Sequence, residues 1–253
     1  MLSINRSQFY LGVRIDNLSS QEAINKIEHM LADHQKRDTY NVFFANVHSI
    51  FLARKIKKFK QTLNTTDLIL PDGSGLKIAA RILGQKIKEN LNGTDFIPQI
   101  CKMAEQKKLS IYFLGGRKEV ISKCVNNVQK QYPNLKIAGY HHGYIKKDNN
   151  KQIIENINST NPDLLLVAMG SPRQEQWLYK NKQCLNTRVC FAVGGLFDFM
   201  SGEIPRAPFW MRRMGIEWVY RFFQDPFNKW KRVFVEIPLF LPLVIFEQRI
   251  PKK

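Results

Sequence analysis

The chain has 253 residues and 44% hydrophobic content, enough for one large domain, or one domain plus an appendage, around a sizeable core. Its 39 lysines and arginines against 21 aspartates and glutamates leave a formal charge of +18, which favours an anionic partner: nucleic acid, an anionic membrane surface or a phosphorylated small molecule. The four cysteines make no C-x-x-C pair, and no window reaches the ~18 apolar residues of a membrane span, so neither a disulfide scaffold nor a spanning helix is expected.

The opening stretch, "MLSINRSQFYLGVRID", lacks the continuous apolar run of a secretory signal, and a cytoplasmic protein is expected. Within it "FYLGVRI" reads as a strand. A helix follows from Ser19, where Ser19 and Glu22 have capping-box spacing and Ala23, Ile24, Ile27, Met30 and Leu31 share one face. "YNVFFANV" then leads into one basic helix, "HSIFLARKIKKFKQTL", and "DLILP" into "SGLKIAARIL". After the loop "GQKIKENLNG" the helix "TDFIPQICKMAEQKK" precedes "LSIYFLGG", and the same alternation continues to "VCFAVGGLF". Short β-type runs alternating with longer helical patterns predict an α/β fold: a mainly parallel, Rossmann-like sheet flanked by helices.

The composition shifts near Gly202. Three of the four tryptophans lie beyond it, with many phenylalanines and the cations Arg206, Arg212, Arg213, Arg221, Lys229, Lys231 and Arg232. This predicts two parts, an α/β domain over residues 1–202 and a helical appendage over 203–253. In the appendage Arg213, Glu217 and Arg221 fall at i, i+4 and i+8, beside an apolar stripe of Met214, Trp218 and Phe222. With "KWKRVF" and the apolar decamer "IPLFLPLVIF" behind it, the segment suits a membrane interface, where cations meet anionic lipid and aromatics enter the headgroup layer. The plain alternative is that the stripe packs on the protein's own core.

Ligands of open α/β sheets bind at the carboxyl ends of the strands. Four loops at such ends stand out: Asp72-Gly73-Ser74-Gly75, Gly115-Gly116-Arg117, Gly170 to Gln174, and Gly194-Gly195 with Asp198. Glycines there allow close backbone approach, and the following helices offer N–H groups to an anion. None matches a dinucleotide or P-loop fingerprint. Asp72 is equally suited to capping its helix, and Ser171, Pro172 and Gln174 to the N-cap, N1 and N3 positions. Neighbouring strand residues such as His141 and His142 are expected to point to opposite faces, and the chain holds no D-x-D, so no metal and no cofactor is expected. With no nucleophile elbow and no cysteine beside a suitable histidine, a carboxylate general base is the simplest catalytic option. A nucleic-acid-binding protein is the rival from another class, although the aromatics concentrate beside an apolar decamer that suits lipid better. A nicotinamide-dependent oxidoreductase is weaker, since the first βα turn has no G-x-G-x-x-G.

The ordered phrases "ANVHS", "PDGSGLKIAARILG", "NGTDF", "LGGR", "GYHHGYI", "DLLLVAMGSPRQEQW", "VGGLFDFMSGEIPRAP" and "GIEWVYRFFQDP" resemble the WecG/TagA/CpsF glycosyltransferase family over nearly the whole chain. The resemblance implies metal-independent, inverting transfer of a sugar, of N-acetylmannosamine type or a related hexose, from a UDP-sugar to a polyprenyl-diphosphate-linked acceptor. That work belongs to cell-surface polysaccharide or teichoic-acid synthesis, on the cytoplasmic face of the membrane, by a peripherally attached protein; nucleic acid is not an expected partner, and a homo-oligomer is allowed. It puts Asp72 in the general-base role. Asn46, Tyr144, Gln174 and Asp198 become polar pocket positions, and Gly115, Gly116, Gly194 and Gly195 backbone donors. Arg221 and Lys231 become cations for the diphosphate, and Arg206 a substrate-binding position. Two departures stand out: Asn90 replaces the arginine of the family's R-x-x-G-x-D phrase, and Phe44 stands where threonine is usual.

Overall fold

The computed structural model describes residues 7–33, 38–145 and 148–249; the first six residues of the opening stretch and the last four of the appendage lie outside them. Its centre is a six-stranded, wholly parallel sheet of β3 (Tyr40–Ala45), β4 (Leu68–Pro71), β5 (Ser110–Gly115), β6 (Lys136–His141), β7 (Leu164–Ala168) and β8 (Val189–Ala192). The strand order is β4-β3-β8-β7-β5-β6. Strands such as "LLLVA" are apolar on both faces because helices cover both. One layer packs α1 (Ser20–Ala32), α5 (Gly93–Gln106), α6 (Lys118–Gln131) and α9 (Leu196–Met200) around Phe96, Phe113 and Phe197. The other packs α2 (Val47–Lys55), α3 (Lys57–Asn64), α4 (Ser74–Ile82), α7 (Asn150–Ser159) and α8 (Arg173–Asn181) around Phe43, Ile50 and Leu165.

Two local expectations are corrected. "FYLGVRI" is not one strand but a hairpin, β1 (Ser7–Tyr10) and β2 (Val13–Asp16), turning through Leu11 (φ 49°) and Gly12 (φ 72°). Two successive positive φ angles make a turn whose twist matches the flanking strands, and only Gly12 signals it. The single basic helix is broken at Ile56, whose extended backbone ends α2 and starts α3 so that both Phe51 and Phe59 are buried.

Beyond Gly202 the described chain is helical, as expected: α10 (Phe209–Met214), α11 (Glu217–Gln224), α12 (Pro226–Lys231), a π-helical turn (Arg232–Glu236) and α13 (Ile237–Arg249). The predicted Met214–Trp218–Phe222 stripe does not lie on one helix, because Gly215 adopts a left-handed φ of 75° and ends α10. No helix among the described residues is long and apolar enough to cross a membrane. Helix α13 instead docks on the domain, with Phe240 and Val244 buried in the same core cluster as α2 and α4 and the Phe240 ring tilted against that of Phe51, centroids 6.4 Å apart. Truncating a buried phenylalanine costs about 3–5 kcal/mol. Phe240→Ala is therefore expected to release the tail, seen as rapid limited proteolysis beyond residue 203 while the sheet domain stays resistant.

Candidate active site

The helices after β3 and β8 leave the sheet on opposite faces, α2 into one layer and α9 into the other. That divergence opens a crevice at the carboxyl edge. Asn46 and Asp72 line one side. Parallel register sets Ala45 beside Pro71, so the next residues, Asn46 and Asp72, emerge together, and the Asp72 N–H donates to Ala45 O at 2.8 Å. Asp72 does not cap α4; Gly73 (φ 97°) holds the N-cap position and makes no side-chain cap bond. The carboxylate receives the Asn46 amide instead, Nδ2 to Oδ2 at 2.9 Å. The other end of that amide caps α2, Oδ1 accepting from Ser49 N at 3.1 Å. Both ends of Asn46 are thus fixed, while Asp72 Oδ1 takes no hydrogen bond from the described residues. Asp72 is half-buried.

The two departures have structural explanations. Asn90 Oδ1 accepts from Gly73 N at 2.6 Å and so props the loop that carries Asp72. Phe44 points into the core and packs edge-on against Phe96 at 6.2 Å.

The glycine turns line the rest of the edge. Gly194 has a φ of 62° and donates its N–H to Gln174 Oε1 at 3.0 Å. Gly115 is obligatory for space as well as conformation: at φ 148° a Cβ there would sit 2.2 Å from Ala168 O. Gly116 follows at φ 66°, and Gly143 of the β6 loop presses on this turn, its N–H donating to Gly116 O at 2.9 Å. Tyr144 beyond it is 62% exposed, free to meet a ligand. Gly195 precedes Asp198, whose half-buried carboxyl is pushed up by burial, partly offset by Arg117 and Lys229.

Gln174 sits at the same carboxyl edge, behind the glycine turn of β8. It is fully buried, and its amide is spent within the protein, on Met169 N, Gly194 N and Glu175. It ties the β7 loop to the β8 loop. Nor is Ser171 an N-cap; its hydroxyl donates to Glu175 Oε1 at 2.6 Å. Glu175 is buried, and its Oε2 has no partner among the described residues. Burial raises its pKa above the ordinary carboxyl value, against the pull of Ser171, Gln174 and His48.

The tail supplies the cations. Burial lowers Arg232 from its ordinary value; Asp72 and Glu236 favour its charge, and Arg221 opposes it. Burial likewise lowers Lys229, with Arg221 and Arg232 acting the same way and Asp225 and Asp198 against. Lys229 Nζ also donates to Arg221 O at 3.2 Å, and the Arg221 guanidinium lies 4.6 Å over the Phe199 ring, next to Asp198. Arg221, Lys229 and Arg232 therefore form one cationic group beside the two carboxylates. Lys231 is not in it. It is exposed and lies 5.6 Å over Trp230, since one residue on a helix is a rotation of about 100°. Lys229 and Arg232, spaced i, i+3, are the inward pair. Arg206 pairs with Asp95 at 2.7 Å and lies 3.9 Å from Glu217, which binds Arg221 at 2.7 Å, while its Nε and Nη2 are buried without a hydrogen-bond partner among the described residues.

Two further contacts fix the tail: Ser74 Oγ donates to Gly215 O at 2.7 Å, and His48 Nδ1 lies 2.7 Å from Glu236 Oε2. Residue-type counting misses His48, Glu236 and Glu175; the one available signal is that His48 shares the first turn of α2 with Asn46. Among the described residues no group of three His, Cys, Asp or Glu could hold a metal ion.

A carboxylate with one oxygen held and one available, opposite three cations, can accept a proton from a hydroxyl while the cations receive an anion. The sequence profile of the Glycosyl transferase WecG/TagA/CpsF family matches residues 9–253. The chain belongs to this family. An N-acetylglucosaminyldiphosphoundecaprenol N-acetyl-β-D-mannosaminyltransferase of Bacillus subtilis strain 168 is 33% identical over 207 residues, 82% of this chain and 79% of that protein. The protein of the same description from Staphylococcus aureus strain MW2 is 29% identical over 247 residues, 96% of this chain and 94% of that one. The chain is accordingly a glycosyltransferase, with the family fold over nearly its whole length.

Glu175 gives a prediction with a definite sign. A carboxyl whose folded pKa exceeds its unfolded value costs stability as pH rises from the ordinary value near 4.5 through the folded one. Glu175→Gln keeps the shape and cannot ionise. It is expected to raise the melting temperature at pH 8 relative to the parent, with the difference shrinking towards pH 4.

Proposed function

We propose that the protein transfers a sugar of N-acetylmannosamine type from UDP to a hydroxyl of a polyprenyl-diphosphate-linked saccharide, in one inverting displacement. The acceptor oxygen attacks the anomeric carbon, and Asp72 Oδ1 takes the hydroxyl proton as the carbon–oxygen bond forms. The bond to the β-phosphate breaks on the opposite face, and its electron pair leaves with UDP. Arg221, Lys229 and Arg232 stabilise that departing charge, the role a divalent cation plays in other transferases, so no metal is required. The observation that carries this reading is the Asn46-held carboxylate facing the tail cations. The names of the relatives support the choice of acceptor and sugar.

The nucleotide end of the donor is assigned to the glycine turns of β5 and β8 and to Tyr144. From β4 to β5 the sheet spans four strand spacings, roughly 19 Å, which separates this end from Asp72. The lipid part of the acceptor places the enzyme at the inner face of the cell membrane, peripherally attached. The exposed tail aromatics Phe209, Trp210, Phe223, Phe227 and Phe234 are its first contact.

The decisive assay incubates the purified chain with a panel of UDP-sugars and a soluble lipid-diphosphate-N-acetylglucosamine analogue. Transfer from UDP-N-acetylmannosamine with inversion, undiminished by chelator, is the expected result; no transfer from any donor would defeat the proposal. Asp72→Asn should lower kcat by about a thousandfold or more while UDP still binds, because a carboxamide cannot take the proton. Arg232→Ala should lower kcat by about a hundredfold, on the scale seen when one transition-state charge partner is removed.

A further inference from the structure

Helix α4 begins two residues after Asp72, and its outer face carries apolar residues that nothing among the described residues covers. Leu76, Ala79 and Ala80 are buried against the sheet. Ile78 and Ile82, one turn apart, therefore face outward, each 48% exposed. Charged or amide side chains usually fill such positions. Here the isoleucines alternate with exposed Lys77 and Arg81, and α4 has no carboxylate. Helix α13, packed beside α4, repeats the arrangement: Phe240 and Val244 are buried inward, while Leu239 and Phe246 are exposed outward. Both helices belong to the same core layer, so their outer faces look away from the same side of the sheet. Helices α2 and α3 extend that side with exposed Arg54, Lys55, Lys57 and Lys58, and neither contains an acidic residue.

We propose that the outer face of α4, with α13 beside it, rests on an anionic lipid bilayer, Ile78 and Ile82 entering the headgroup layer and Lys77 and Arg81 meeting lipid phosphates. The inference rests on the membrane-acceptor reading above and adds a second contact, separate from the tail aromatics. Charge selects the occupant. A cation-flanked apolar strip on α4, a helix without carboxylates, complements an anionic surface, whereas a second copy of the same strip would be repelled. Distance gives the contact its purpose. Ile78 lies roughly 6 Å along the axis of α4 from Ser74, itself two residues beyond Asp72, and an interfacial helix sinks ~5–10 Å into the boundary. The strip thereby holds the carboxylate near headgroup height, where the diphosphate of a lipid-linked acceptor lies. A single contact leaves the protein free to rock; a second fixes its tilt.

The test uses the full chain and sedimentation with vesicles of phosphatidylglycerol and phosphatidylcholine in equal parts. I78S/I82S is expected to weaken vesicle binding by about tenfold or more, given the apolar area withdrawn. Its melting temperature and its turnover of a short-chain soluble acceptor should be unchanged, while turnover of a long-chain acceptor in the vesicles falls. K77E/R81E should weaken binding to these vesicles and leave weak binding to pure phosphatidylcholine unaltered. Wild-type vesicle affinity in I78S/I82S would overturn the proposal, as would a change in self-association with vesicle binding intact, which would assign the face to a second copy. If I78S/I82S loses vesicle binding but the parent turns over neither acceptor, the membrane face stands and the transfer reading fails.

Discussion

The hydrogen bond from Asn46 to Asp72 is the constraint on which the site depends. A carboxylate at a strand end needs to be oriented without being neutralised, and a neutral amide does this where an arginine partner would lock it in an ion pair. The bond follows from strand register rather than from loop design: β3 and β4 run parallel with Ala45 opposite Pro71, so the two next residues are neighbours by construction. A slip of one residue would send both strands' side chains to the wrong face of a sheet buried on both sides. The core thus enforces the geometry of the polar pair.

The tail solves a different problem. Arg221, Lys229 and Arg232 repel one another, and burial makes that repulsion costly. They are held by apolar docking of Phe240 and Val244, by Glu217 on Arg221, and by the His48–Glu236 pair at the far end of the π-helical turn that begins with Arg232. The first turn of α2 consequently anchors both partners of the proposed chemistry, Asp72 through Asn46 and the cations through His48. A cluster whose charges are only partly balanced in the free protein is one that gains most from an arriving diphosphate.

Periodicity made the alternation of strands and helices legible, and the glycine loops at the carboxyl edge could be read from the residue types alone. Local turns could not. A left-handed Leu11 carries no compositional mark, and the break at Ile56 is set by the need to bury Phe51 and Phe59 together. The site was legible in its parts and less so in its orientation. Asn46 and Asp72 were identifiable by resemblance, but their bond required the register. Gln174 was identifiable as polar near a loop, yet it is buried and its hydrogen bonds are spent on the protein. Lys231 and Arg232 are adjacent in sequence and nearly indistinguishable in type, and only helical phase sends one to the pocket and the other to Trp230. Glu175 carried no signal at all, since a buried carboxyl with one unpartnered oxygen is invisible until the fold is known.

The crevice also has a direction. Its β4 end holds the carboxylate, Arg232 and the start of α4, Arg221 and Lys229 lie towards Phe199 and Asp198 beyond β8, and its β5–β6 end holds the Gly115–Gly116 turn and exposed Tyr144. A donor lying along the edge with its base at the glycine turns brings its anomeric carbon towards Asp72. In-line displacement then requires the acceptor hydroxyl to arrive from the side opposite the diphosphate. The tail helices cover the site from Ser74 to Phe199 through Gly215 and Arg221, and on the proposed reading the acceptor enters beside α4. A lipid-borne acceptor entering there would approach along the face that carries Ile78 and Ile82. In the proposed mechanism, proton acceptance and membrane contact then share one corner of the sheet, set by the helices that follow β3 and β4, while Arg221 and Lys229 reach across to Phe199 and Asp198 beyond β8.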